Sequence, residues 1–200
     1  PNISSFYGLY EAEGKSFSVE NFVEGPSLAQ ILKQRRGTPM PPLEALTYIK
    51  AMASGLEYVH GFGLVHATIA PHNIQATRDG SILLTNFGFS RLTDNRMSVA
   101  GAYGPPYCQA PEQLRQEKVS PATDMYALGI LFYEFVTGVH PFLGLPGSAV
   151  EEDPSLASKM SAGHLNQKPP DVRIYNPSVP EGLSDSLQTC LAKDPRERYQ

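Results

Sequence analysis

An α+β fold is predicted for this chain from three features of its sequence. Two separate stretches, 5–23 and 74–85, read as β-hairpins, while the longer segments around them place apolar residues at helical spacing. Residues 125–136 are almost uniformly apolar, the mark of a helix buried on all sides at the centre of a domain. With 200 residues, 41% hydrophobic and 18% charged, the chain can bury a substantial core.

The elements follow in order. Residues 5–10 and 17–23 read as strands flanking Glu11-Ala12-Glu13-Gly14-Lys15-Ser16, which has turn composition. Gly14-Lys15-Ser16 has the ending of a phosphate-binding loop, but that motif needs its first glycine where Leu9 stands, and Gly8 misses by one. The turn reading is preferred. Ser27 is placed to cap a helix through Leu28, Ile31 and Leu32 that stops at Gly37, and its basic end, Gln34-Arg35-Arg36, suits a solvated helix terminus. After a proline-rich connector at 39–42, Leu43, Leu46, Ile49, Ala53 and Leu56 predict a long amphipathic helix ending at His60-Gly61. The stretch LVHATIAPHNIQ follows at 64–75; between His66 and Asn73 it holds no carboxylate, lysine or arginine.

Residues 74–77, Asp79-Gly80 and 81–85 give the strongest hairpin signal in the chain. Residues 86–112 read as a long irregular segment, a kind that usually carries function or regulation. Asp124 is expected to open the apolar helix, which runs to Thr137. Short helices are expected near 154–163, and a last one presents Leu183, Leu187, Cys190 and Leu191 on one face.

A formal charge of −4 gives no basic field, which argues against nucleic acid or an anionic membrane as principal partner. Cys108 and Cys190 match no metal or redox spacing; they suit a reducing compartment and read as small core residues. The longest apolar run is too short to span a bilayer, and a cytoplasmic setting is expected. His60, His66 and His72 recur every six residues, which fits no common ligand pattern. Neither GxSxG nor HExxH occurs. The chain opens without methionine and stops directly after Arg198-Tyr199-Gln200, so both ends read as cut.

Five motifs in fixed order resemble the protein kinase family, most closely its bacterial Ser/Thr members. HATIAPHN from His66 stands for the catalytic loop HRDLxxxN, NFG from Asn86 for DFG, and APE runs from Ala110. DMYALGILFYEF from Asp124 is similar to the family's central helix, and DPRERY from Asp194 to its closing arginine motif. The resemblance covers the whole chain and implies one protein-kinase-like domain. Residues 1–20 would end the small-lobe sheet, 21–25 would be the hinge, and 26–200 a mainly helical large lobe, with the glycine-rich loop and its lysine upstream.

Phosphoryl transfer needs an aspartate that orients the acceptor hydroxyl, metal ions on a second aspartate and an asparagine, and positive charge on the phosphates. By resemblance the base position is Thr68, the lysine position Ala70 and the metal aspartate Asn86, leaving Asn73 as the one unchanged ligand. The loop arginine is replaced by Ala67 and the substrate-loop threonine by Pro105. ATP with Mg²⁺ is the implied cofactor pair. Its adenine would meet the hinge at Asn21 and Val23, with Glu20 at the gatekeeper position and Gln75 at the adenine floor. His66 and Phe87 would belong to the packed stack between the lobes, Gly88 would be structural, Asp124 would hold the loop backbone, and Glu112 would pair with Arg198. Tyr103, Pro105, Pro106 and Tyr107 could form a peptide-docking surface or pack beneath the domain.

The reading that follows is a pseudokinase that regulates or scaffolds by binding protein partners. The alternatives are a divergent, weakly active ATP-dependent Ser/Thr kinase and a nucleotide-gated switch that binds ATP without transfer.

Overall fold

The computed structural model describes residues 2–87, 106–149 and 153–200, so Gly88, Tyr103 and Pro105 lie outside the described residues. β1 (Phe6–Ala12) pairs antiparallel with β2 (Lys15–Glu20). The turn between them is two residues long, not six. Glu13 and Gly14 have φ of +53° and +72°, the doubly left-handed pair that matches strand twist, so Glu11, Ala12, Lys15 and Ser16 join the ladder. β2 stops at Glu20, and residues 21–23, expected as strand, form a connector whose first N–H, on Asn21, donates to Ser5 O at 2.8 Å.

Ser27 caps α1 (Leu28–Arg35) reciprocally: its hydroxyl accepts from Gln30 N at 3.3 Å, and Gln30 Oε1 accepts from Ser27 N at 2.8 Å. The basic end of α1 is not simply solvated, because Arg35 reaches Glu44 at 3.2 Å and Pro39 O at 2.9 Å. α2 (Pro42–His60) begins with proline at the one helical position that needs no N–H, and buries Met52, Leu56 and Val59. β3 (Ile74–Ala76) and β4 (Ile82–Leu84) form the second hairpin, with Ile74 opposite Leu84 and both fully buried. The segment before β1 lies along this hairpin, through Ser4 N to Leu84 O and Leu84 N to Asn2 O, each 2.8 Å.

α3 (Pro111–Leu114) begins within the last two residues of the stretch read as irregular. α4 (Pro121–Thr137) starts three residues before Asp124, because Ser120 and Pro121 supply the start: Thr123 N donates to Ser120 O at 2.8 Å. Asp124 therefore sits inside the first turn, buried. From Ala122 to Thr137 only Met125 is not buried, and α2 and α6 (Glu181–Cys190) pack against this helix. α5 (Leu156–Asn166) is one continuous helix where shorter pieces were expected. Gly138 closes α4 with φ +76°, and a Cβ there would stand 1.9 Å from Gly37 O, so this joint accepts only glycine. Cys108 is buried and Cys190 partly so; both are free.

Two buried polar groups tie loops to this helical core. Arg198, with no exposed side-chain surface, meets Glu112 through two bonds of 2.7 and 2.8 Å and also donates to Ala122 O and Ala192 O. Burial pushes the Glu112 carboxyl up, but the Arg198 bonds and charge prevail and hold it below the usual range. Glu134 on α4 accepts from the Tyr107 hydroxyl and, at 2.8 Å, from Gly147 N. Burial raises its carboxyl to about 7, whereas burial lowers the neighbouring His140 imidazole to about 4.

Two predictions follow from these groups. Removing one member of the Glu112–Arg198 pair leaves a buried charge alone, so Glu112→Ala and Arg198→Ala should each cost about 3–5 kcal/mol in urea unfolding, and the double variant less than their sum. Strict additivity would deny the coupling. For Glu134 the folded state keeps a proton between the unfolded value of 4.5 and about 7, so its contribution is present at low pH and is lost as pH rises through that window. His140 acts oppositely, losing stability as pH falls from 6.5 towards about 4. Relative to Glu134→Gln, the unmodified chain should therefore lose up to about 3 kcal/mol as pH rises from about 5 to 7. A difference constant across that range would refute the assignment.

Candidate functional site

The loop 64–73 is held from below. The Asp124 carboxylate accepts His66 N–H at 2.9 Å and Ala67 N–H at 2.8 Å, and His60 Nε2 lies 2.8 Å from its Oδ2. Gln113 Nε2 donates to Ala67 O at 2.6 Å. These bonds grip both faces of the Ala67 peptide units and keep Ala67 at φ +59°, a left-handed conformation that costs a non-glycine residue about 1–2 kcal/mol.

His66 is fully buried and its two nitrogens have distinct tasks. Nε2 stands 3.0 Å from Thr85 O; a carbonyl can only accept, so Nε2 carries the proton and Nδ1 is an acceptor. Nδ1 receives Thr68 N at 3.2 Å and the Thr68 hydroxyl at 3.1 Å. Burial holds the imidazole below its usual value, against the pull of Asp124 and the Thr85 carbonyl. Its ring meets Phe87 edge-on at 4.4 Å. The Thr68 hydroxyl is thus spent on its own loop, and half-buried Ala70 offers only a methyl group.

A chain of hydrogen bonds continues from this loop. Asn73 Nδ2 donates to Thr68 O at 2.7 Å, and Asn73 Oδ1 accepts from Asn86 Nδ2. Asn86 has φ +66°, which asparagine tolerates better than most residues, and its N–H donates to Glu20 Oε2 at 2.9 Å. Ser4 Oγ donates to the same oxygen at 3.0 Å. Glu20 Oε1 is buried with no hydrogen-bond partner among the described residues.

The remaining expected site residues lie along the connector. Asn21 is exposed, Val23 and Gln75 are half-buried, and Gln75 bridges to Ser27. Gly25, at φ +152°, brings the connector against β3 so closely that a Cβ would lie 1.9 Å from Ala76 O. The structure therefore gathers Thr68, Asn73, Asn86 and Glu20, sets Asn21, Val23 and Gln75 beside the connector, and leaves the Glu112–Arg198 pair in the helical core. Sequence reasoning missed Ser4, His60 and Gln113, whose roles depend on partners 16, 64 and 46 residues away. Glu20 was noticed only as the residue at the gatekeeper position; its bond to Asn86 gave no signal.

A family model described as Protein kinase domain matches residues 1–200. The chain belongs to the protein kinase family. Among curated kinases it is 33% identical to the serine/threonine-protein kinase PrkC of Bacillus subtilis, over all of this chain and 29% of that protein. It is 30% identical to the probable serine/threonine-protein kinase PknB of Lactococcus lactis, again over its whole length and 30% of the relative. The chain thus spans under a third of these relatives. The crystal structure of the Mycobacterium tuberculosis PknI kinase domain, as a single mutant, superposes with a TM-score of 0.73 at 24% identity, covering all of this chain and 66% of that one, which shows the fold.

A kinase-family pocket invites a test for Mg²⁺. Hard dications favour anionic oxygens, while Asn73 and Asn86 offer neutral carboxamides, and the Asn73 oxygen already accepts from Asn86. These residues do not fit the ion. Among the described residues no group of three His, Cys, Asp or Glu could hold a metal elsewhere.

The loop geometry carries its own prediction. Asp124→Ala would leave two buried N–H groups without an acceptor and should cost about 2–5 kcal/mol in urea unfolding, whereas Thr68→Ala should cost about 1 kcal/mol or less. Equal losses would contradict the placement of Asp124 as the loop's support.

Proposed function

We propose that this protein kinase domain is a pseudokinase, a regulatory or scaffolding module that works by binding protein partners and does not transfer phosphate efficiently. The observation that carries the reading is the Asn73–Asn86 amide pair, in which the Asn73 oxygen expected to hold metal accepts a hydrogen bond from the Asn86 amide. Support comes from Thr68, whose hydroxyl is a weak base and is engaged by His66, and from Ala70, which brings no charge to a phosphate. A positioned base contributes about 10²- to 10⁴-fold to rate, and losses among groups acting as a unit do not simply add. ATP and Mg²⁺ are accordingly not required for the proposed role. The composition favours protein over nucleic acid as partner. Among the described residues no helix is long and apolar enough to cross a membrane, and the proposed setting of this segment is cytoplasmic.

A second reading, a divergent Ser/Thr kinase, is favoured by the relatives, which are named as kinases. Phosphoryl transfer rests largely on positioning and electrostatics, so a slow enzyme remains the competing outcome. The deciding experiment supplies the full-length protein with radiolabelled ATP, Mg²⁺ or Mn²⁺ and a protein acceptor. Transfer no greater than that of an Asn86→Ala variant is expected, and robust Mg²⁺-dependent labelling would overturn the proposal. A thermal shift with ATP separates scaffold from nucleotide-gated switch, because ligand at a thousandfold its Kd adds about 4 kcal/mol to stability; the scaffold reading expects no shift.

A further inference from the structure

We propose that Glu20 is a built-in latch that fastens the β1–β2 hairpin to the Asn86 turn without any bound ligand. Five residues from four stretches of chain form one uninterrupted hydrogen-bonded series. Ser4 Oγ donates to Glu20 Oε2, Asn86 N donates to the same oxygen, Asn86 Nδ2 donates to Asn73 Oδ1, and Asn73 Nδ2 donates to Thr68 O. The series runs from the end of β2 to the loop that Asp124 supports. Glu20 is its only charged member, so its two bonds are the charge-assisted and stronger links.

Glu20 is the last residue of β2, so its two bonds join the end of that strand to the Asn86 turn, beside the backbone bond from Ser4 N to Leu84 O. Asn86 is suited to receive the latch because its left-handed backbone turns the N–H towards Glu20. Among the described residues the buried Oε1 has no hydrogen-bond partner, so the hydrogen bonds that Glu20 makes there are those at Oε2. The latch and a dication would also compete. An ion at Asn73 Oδ1 would stand beside the Asn86 Nδ2–H that bonds the same oxygen, and the two positive groups would repel.

Amide hydrogen exchange of the full chain, followed by NMR, tests this without reference to phosphate transfer, so failure here leaves the pseudokinase reading standing. Glu20→Ala is expected to accelerate exchange at the Asn86 N–H and across residues 6–20 by about tenfold or more, while amides in the middle of α4 keep their protection. Glu20→Gln, which retains an acceptor oxygen, should restore most of the Asn86 protection. Ser4→Ala, a milder change that keeps the Asn86 bond, should accelerate the hairpin alone. Unchanged exchange in Glu20→Ala, acceleration spread equally through α4, or a Glu20→Gln variant as fast as Glu20→Ala would overturn the proposal.

Discussion

The Asp124 carboxylate on the backbone of His66 and Ala67 is the constraint on which the rest of the site depends. It sits in the first turn of α4, the most completely buried of the described helices, so the position of the loop is tied to the helical core. Three donors converge on one buried carboxylate, the condition under which an ionised group is tolerated away from water. With Ala67 fixed, His66 is aimed at Thr85 and Thr68 is aimed at His66. The direction of Asn73 follows, because its amide bonds the carbonyl of Thr68.

Much of the fold could be read from local pattern. The apolar run of α4, the spacing in α2, the capping residue of α1 and the Asp79-Gly80 turn each act through neighbours within a few residues, and sequence displays such neighbours directly. Boundaries were less legible. Asp124 reads in the sequence as the opening of its helix, yet Ser120 and Pro121 start the helix by backbone geometry. The six residues around Gly14 have turn composition, but only two are needed, because two adjacent positive φ values reverse the chain at once.

The site divides in the same way. That charge is missing at Thr68, Ala70 and Asn86 is visible in the letters of the sequence. What occupies the vacated interactions is not. The Asn86–Glu20 bond joins residues 66 apart, and the Asn73–Asn86 pair depends on both side chains rotating towards each other. No periodicity or motif reports such a contact. The Tyr107–Glu134–Gly147 bonds were equally hidden, since Glu134 reads as an ordinary charge interrupting an apolar helix until its burial is known.

The neutral pair at Asn73 and Asn86 has a consequence for the medium in which the protein rests. Carboxylates crowded into one cleft repel each other until a counter-ion arrives, so pockets of that kind are poised by the ionic composition around them. Two amides carry no such repulsion. At these two positions the cleft therefore holds no pair of like charges that a counter-ion would have to relieve.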